Sequence, residues 1–215
     1  FRAVLIVAGF SVLTRFFGFL FRIYLSRELG AELLGVYQVA ASVFSVLLVL
    51  VSSGIPLAIS KLTASYRVTN DRKSENGVTS ASLIIGLTVA TILCIVILVF
   101  RESLGHLFTD ERCMLILITL LPAVIASAVY SAFRGSLWGT QNYFSVSWTE
   151  LAEQLIRIAA FVIMANFLFT TLDGAVIAGL SMSIACIMSA ILVVIVYFKN
   201  CLLYTSDAAD EEDSV

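Results

Sequence analysis

The chain has 215 residues, 60% of them hydrophobic and only 13% charged, with a mean hydropathy of +1.02. That composition lies far outside the soluble globular range and marks an integral membrane protein. The formal charge of −2 is set by the tail: five of the 15 acidic residues fall in the last 15 positions, and residues 1–200 carry 13 basic and 10 acidic residues, a surplus of +3. The four cysteines, Cys94, Cys113, Cys186 and Cys201, show no CxxC or other ligand spacing and read as small buried hydrophobes. The first residue is Phe1, which suggests a missing start; the first segment is long enough to span, carries arginines and lacks the cleavage pattern of a signal peptide.

A spanning helix needs about 20 mainly apolar residues. Six stretches meet that requirement, near 3–25, 36–60, 78–100, 114–138, 146–169 and 174–198, and predict an all-α integral membrane fold. The first carries Arg15 and Arg22, each costing ~2.5–3.5 kcal/mol at the centre of a bilayer helix, so both require water, a partner or an anionic ligand. Seven residues apart, they share a helical face with Ser11 one turn earlier and Gly18 between them. The second span carries a polar stripe, Gln38, Ser42, Ser45 and Ser52, that reads either as the wall of a wet cavity or as interhelical hydrogen bonding. Gly54-Ile55-Pro56 interrupts it, because Pro56 lacks a donor and frees a carbonyl, and is a candidate hinge.

The 61–77 loop holds Lys61, Arg67, Arg72 and Lys73, the strongest cytoplasmic signal in the chain. With the N-terminus inside, the inner segments hold seven basic residues (Arg2, those four, Arg134 and Lys199) and the outer ones three (Arg27, Arg101, Arg112), which predicts an N-in, C-in arrangement. The third span is nearly featureless and reads as lipid-facing scaffold, and the lone His106 in the loop after it reads as solvated. The fourth carries Pro122 and then Ser127, Tyr130 and Arg134 at helical spacing, followed by Gly135 and Gly139, a GxxxG pair suited to close helix approach. Arg134 reads as a cytoplasmic anchor or a cavity residue.

The fifth span opens with Glu150, Glu153, Gln154 and Arg157. Glu153 and Arg157 stand four apart in the favourable order for an ion pair, with Glu150 on the same face. Such a cluster turns toward protein or water, either as a neutralised packing set or as a proton- or headgroup-sensitive contact at a cavity mouth. The sixth span offers Gly174, Ala178, Gly179, Ser183 and Ala190 as small contact residues. From Cys201 the text loses its apolar period and all basic residues, and 201–215 reads as a disordered acidic tail or, by its similarity to sequencing-adaptor read-through, as non-native; on the second reading the natural frame is expected to continue beyond about Asn200.

No HExxH, GxSxG, Walker A or strand-to-helix GxGxxG is present, so no enzyme, metal site or cofactor is expected, and nothing suggests a nucleic-acid partner. Buried positive charge in a helical bundle is the physics of moving an anionic, amphiphilic ligand. The run 13–30, then Leu34-Gly35-Val36-Tyr37-Gln38, Ser53-Gly54-Ile55-Pro56-Leu57-Ala58-Ile59-Ser60-Lys61, and Phe133-Arg134-Gly135 with Gln141, Glu153, Gln154 and Arg157, resembles the stage V sporulation protein B branch of the polysaccharide biosynthesis proteins. That branch lies in the multidrug, oligosaccharidyl-lipid and polysaccharide exporter (MOP) superfamily.

The resemblance implies two six-helix lobes around a cavity that opens alternately to either side of the bacterial cytoplasmic membrane. These six spans would be the N-terminal lobe, with the C-terminal lobe missing. It implies transport of undecaprenyl-linked oligosaccharide or lipid II, with membrane lipids around it. Thr14-Arg15-Phe16-Phe17-Gly18-Phe19 is similar to the cavity-arginine pattern of the lipid II flippases, so Arg15 would bind pyrophosphate, while Arg22 stands one residue from the second arginine there. Arg15, Arg22, Ser11, Gln38, Ser42 and Arg134 are thus the candidate cavity residues, Glu150, Glu153 and Arg157 the charged cluster, and Gly54 and Pro56 the hinge. The alternatives are a cation-coupled drug exporter with Glu150 or Glu153 as coupling carboxylate, and a non-transporting scaffold for envelope-building enzymes.

Overall fold

The computed structural model describes residues 2–52, 54–69, 71–106, 108, 110–168 and 172–212, with 2–4, 72, 168 and 201–212 as backbone alone. Phe1, Ser53, position 169 at the end of the fifth expected span and tail positions 213–215 lie outside the described residues. The regular elements are α1 (Arg2–Ser52), α2 (Ile55–Val68), α3 (Arg72–Val99), α4 (Arg101–Gly105), α5 (Arg112–Gly139), α6 (Tyr143–Leu168) and α7 (Gly174–Glu212), the last running helically through 201–212.

α1 consists of two helical arms meeting at Gly30, with φ 74° and ψ 174°. Only glycine enters that region without strain, so one residue makes the corner where the sequence leaves a 26–35 connection. A second break stands at Gly54, left-handed at φ 83°, which caps α2. Pro56 then sits in the first turn of α2, where its missing N–H leaves no bond unmade. The expectation that Pro56 frees a carbonyl inside a helix is thus corrected: Gly54 makes the interruption and Pro56 starts the next helix. Asp71 caps α3, its carboxylate accepting from the Ser74 hydroxyl at 2.6 Å and from the Ser74 N–H at 3.1 Å. Those bonds, the hydroxyl first, hold its carboxyl below the usual range.

α5 is the central helix, packed against α7, α2, α1 and α3, with Ile116, Leu117, Leu120, Ala123 and Val124 buried. The GxxxG pair seats it on α2. A Cβ on Gly135 would lie 2.9 Å from Pro56 Cα and Ile59 Cβ, and one on Gly139 2.6 Å from Thr63 Cβ. α3 buries Ala90, Cys94 and Ile97 and exposes Ile84, Ile85, Ile92 and Ile95, as a helix with one lipid-facing side does. Cys94, Cys113 and Cys186 are free and buried.

Among the described residues, four stretches are long and apolar enough to cross a membrane: Leu5–Val68, Lys73–Val99, Arg112–Gly139 and Gly174–Asn200. The first runs over both glycine breaks and holds the first two of the six expected spans. The fifth expected span corresponds to α6, which at 26 residues has the length but carries Glu150, Glu153 and Arg157.

Candidate functional site

The two arms of α1 and one face of α6 line an open cavity of about 400 Å³. Its apolar floor includes Phe21, Leu25 and Leu34, and its polar wall is Arg22, Gln38, Ser42, Ser45, Gln154 and Arg157. Among the described residues, two guanidinium groups line it and no carboxylate does. The serine hydroxyls are committed to their own helix: Ser42 donates to the Gln38 carbonyl at 2.8 Å and Ser45 to the Ser42 carbonyl at 2.7 Å. Their oxygens therefore face the cavity as acceptors. Of the two readings of the polar stripe, Gln38, Ser42 and Ser45 take the cavity wall, while Ser52 bonds back to Leu48 and lies off it.

Arg157 is held by neutral groups. One terminal nitrogen donates to Gln154 Oε1, the other to Met182 Sδ at 3.1 Å, and the guanidinium carbon stands 5.9 Å from the Phe21 ring. Its Nε is buried without a partner, as is Nε2 of Gln154, a residue 4% exposed. Gly18 lies directly against that amide: a Cβ there would meet Gln154 Nε2 at 3.4 Å.

The charged cluster of the fifth span separates in the fold. Glu150 pairs with Arg134 of α5 at 2.6 Å, and Arg134 stacks on Trp138, 4.4 Å from the ring centroid. Glu153 and Arg157 do not form an ion pair among the described residues, although their spacing favours one. The physical reason is partner choice across helices: Arg134 draws Glu150 toward α5, and Arg157 turns toward α1 and α7. Arg134 itself does not line the cavity.

Arg22, Gln38 and Ser42 thus meet at one cavity, whereas Arg15 and Ser11 stand outside its wall. Arg15 is exposed, with no hydrogen-bond or ion-pair partner among the described residues. Gln154, Tyr37 and Ser45 belong to the wall but not to the sequence-derived cavity set. Gln154 was visible as the i−3 neighbour of Arg157, and Tyr37 and Ser45 as companions of the second-span stripe. The described residues contain no group of three His, Cys, Asp or Glu side chains placed to hold a metal.

A family model described as "Polysaccharide biosynthesis protein" matches residues 1–209. The chain is 30% identical over 200 residues to the stage V sporulation protein B of Bacillus subtilis (strain 168), a match covering 92% of this chain and 39% of that protein. It is 25% identical over 176 residues to the lipid II flippase MurJ of the same organism, covering 78% of this chain and 32% of that one. The chain therefore spans well under half the length of either relative. A solved outward-facing multidrug resistance MATE family transporter of the MOP superfamily matches with a TM-score of 0.73 at 16% identity, over 89% of this chain and 44% of that one. With its apolar helices and these relatives, the chain is a multi-pass membrane protein.

Proposed function

Because the chain belongs to the polysaccharide biosynthesis protein family, we propose that it forms one lobe of a flippase for undecaprenyl-diphosphate-linked oligosaccharide or lipid II. The lobe has six spans in the bacterial cytoplasmic membrane, with its N-terminus inside and a second lobe opposite. The support is one observation: a cavity among helices suited to a bilayer, with Arg22 at its wall and no acidic residue lining it. A cation so placed gains from an anionic ligand and has no internal carboxylate to neutralise it.

The diphosphate enters on the cationic face of α1, where Arg15 stands about 10 Å from Arg22 at 1.5 Å per residue. Arg22 holds it in the cavity with planar, paired donors. Gln38, Ser42 and Ser45 face the sugar hydroxyls, and the polyprenyl tail stays in lipid. The lobes then rock by alternating access, with Gly54 and Pro56 as a hinge at the head of α2. The cation-coupled drug exporter reading, with Glu150 or Glu153 as coupling carboxylate, has less support, because neither of these lines this cavity.

The test is complementation of a flippase-deficient strain by the full-length gene product. Arg22→Gln and Arg15→Ala are expected to abolish growth at unchanged membrane levels of the protein. Normal growth on both would defeat the flippase assignment.

A further inference from the structure

We infer that the anion site is a clamp closed between two helices, with Arg157 of α6 as a second cation facing the cavity of Arg22 on α1, and Gln154 as the residue that positions it. This rests on the flippase reading for the identity of the transported molecule, but its residues and their roles follow from the cavity alone.

The first reason is charge. Arg157 lines the cavity half-buried, and its contacts are an amide, a thioether and an aromatic ring. The carboxylates nearest in sequence do not neutralise it: Glu150 is committed to Arg134, and Glu153 makes no ion pair among the described residues. A partly buried guanidinium without a counter-charge requires water, neutral hydrogen-bond partners or an anion, and of these only an anion neutralises it.

The second reason is hydrogen bonding. Arg157 Nε and Gln154 Nε2 are buried donors without acceptors. Both belong to one unit, because Gln154 spends its Oε1 on Arg157 and keeps its N–H groups unspent. An amide and a guanidinium joined this way demand acceptor atoms only. Phosphoryl oxygens are acceptors only, and two arginines on separate helices match two phosphoryl groups better than one. The ligand class is a diphosphate, carried on a lipid or free in solution. Gly18 lies beside this unit: a Cβ there would stand in van der Waals contact with the Gln154 amide, at 3.4 Å from Nε2.

The experiment measures binding to the purified full-length protein in lipid nanodiscs, with farnesyl diphosphate, farnesyl monophosphate and inorganic pyrophosphate as probes. The wild type is expected to prefer the farnesyl diphosphate to the monophosphate. Arg157→Gln should weaken diphosphate binding about tenfold to a hundredfold, the size of one lost charge-assisted contact, and erase that preference. Arg157→Lys should restore part of both. Gln154→Glu should act like Arg157→Gln while leaving thermal stability intact, because it hands Arg157 a carboxylate in place, and it should flatten the salt dependence of binding. That variant decides the matter if Arg157→Gln does not fold.

Wild-type binding with Arg157→Gln and Gln154→Glu unchanged in affinity and preference overturns the clamp and leaves the flippase reading standing. A wild type that binds none of the three probes overturns both. Inorganic pyrophosphate bound as tightly as farnesyl diphosphate keeps the clamp and assigns its ligand to a soluble anion, which counts against the flippase.

Discussion

Arg134 and Glu150 show how a pair of residues escapes sequence reasoning. Their side chains are 30% and 31% exposed, close to the threshold at which solvent screening takes most of an ion pair's worth. Stacking on Trp138 restricts the guanidinium and makes the 2.6 Å contact less costly in entropy. A double-mutant cycle with Arg134→Met and Glu150→Gln, read by unfolding in mixed micelles, should give a coupling of about 1 kcal/mol. A coupling indistinguishable from zero would mean that the pair is not formed in solution. Spacing alone joins Glu153 to Arg157, because i,i+4 neighbours are all that one helix reveals. The partner on α5 is invisible until the helices pack, and for the same reason the sequence leaves Arg157 open between a neutralised packing set and a contact at a cavity mouth; it lies at a cavity wall.

Among the helices, the contact of α2 with α5 is the one that small residues decide. Gly139→Ala places its Cβ against Thr63 Cβ at 2.6 Å and the Ser60 carbonyl at 2.9 Å. Since backbone cannot yield as a flexible side chain does, the variant should lose about 1–3 kcal/mol. Gly35 is the control: nothing lies within 4 Å of a Cβ there, so Gly35→Ala should gain up to about 1 kcal/mol from helix propensity. Thermal unfolding of both variants in the same detergent checks the contrast, and equal melting temperatures would refute it. The GxxxG signature was legible in the sequence because it needs only spacing. The position of the break before α2 was less so: the sequence points at Pro56, the residue with the missing donor, and the backbone turns at Gly54, the residue with the permitted φ.

Across the whole molecule, the apolar segments and the all-helical architecture were legible because hydropathy and length suffice for them. The proposed membrane sidedness rests on the distribution of basic residues and on counting spans. Thr69 and Ser103 are both exposed and are separated by α3 alone, so one crossing should place them on opposite sides. In a cysteine-free background, Ser103→Cys should react with an impermeant maleimide on intact cells and Thr69→Cys only after permeabilisation; labelling from the same side would overturn the topology. The cavity was legible in part, since Arg22, Gln38 and Ser42 lie on segments whose faces could be read, whereas the α6 wall required tertiary structure. Finally, Arg22 and Gln38 stand eight residues before and eight after the Gly30 corner. Each therefore lies about 12 Å along its arm at 1.5 Å per residue. The corner sets the alignment of the two walls by counting, as a hairpin turn sets strand register. A single inserted residue beside Gly30 would turn one wall by about 100° relative to the other. At this corner such a change in length would dismantle the cavity. The expected 61–77 loop is no such corner: Lys61–Val68 continue α2 and α3 starts at Arg72.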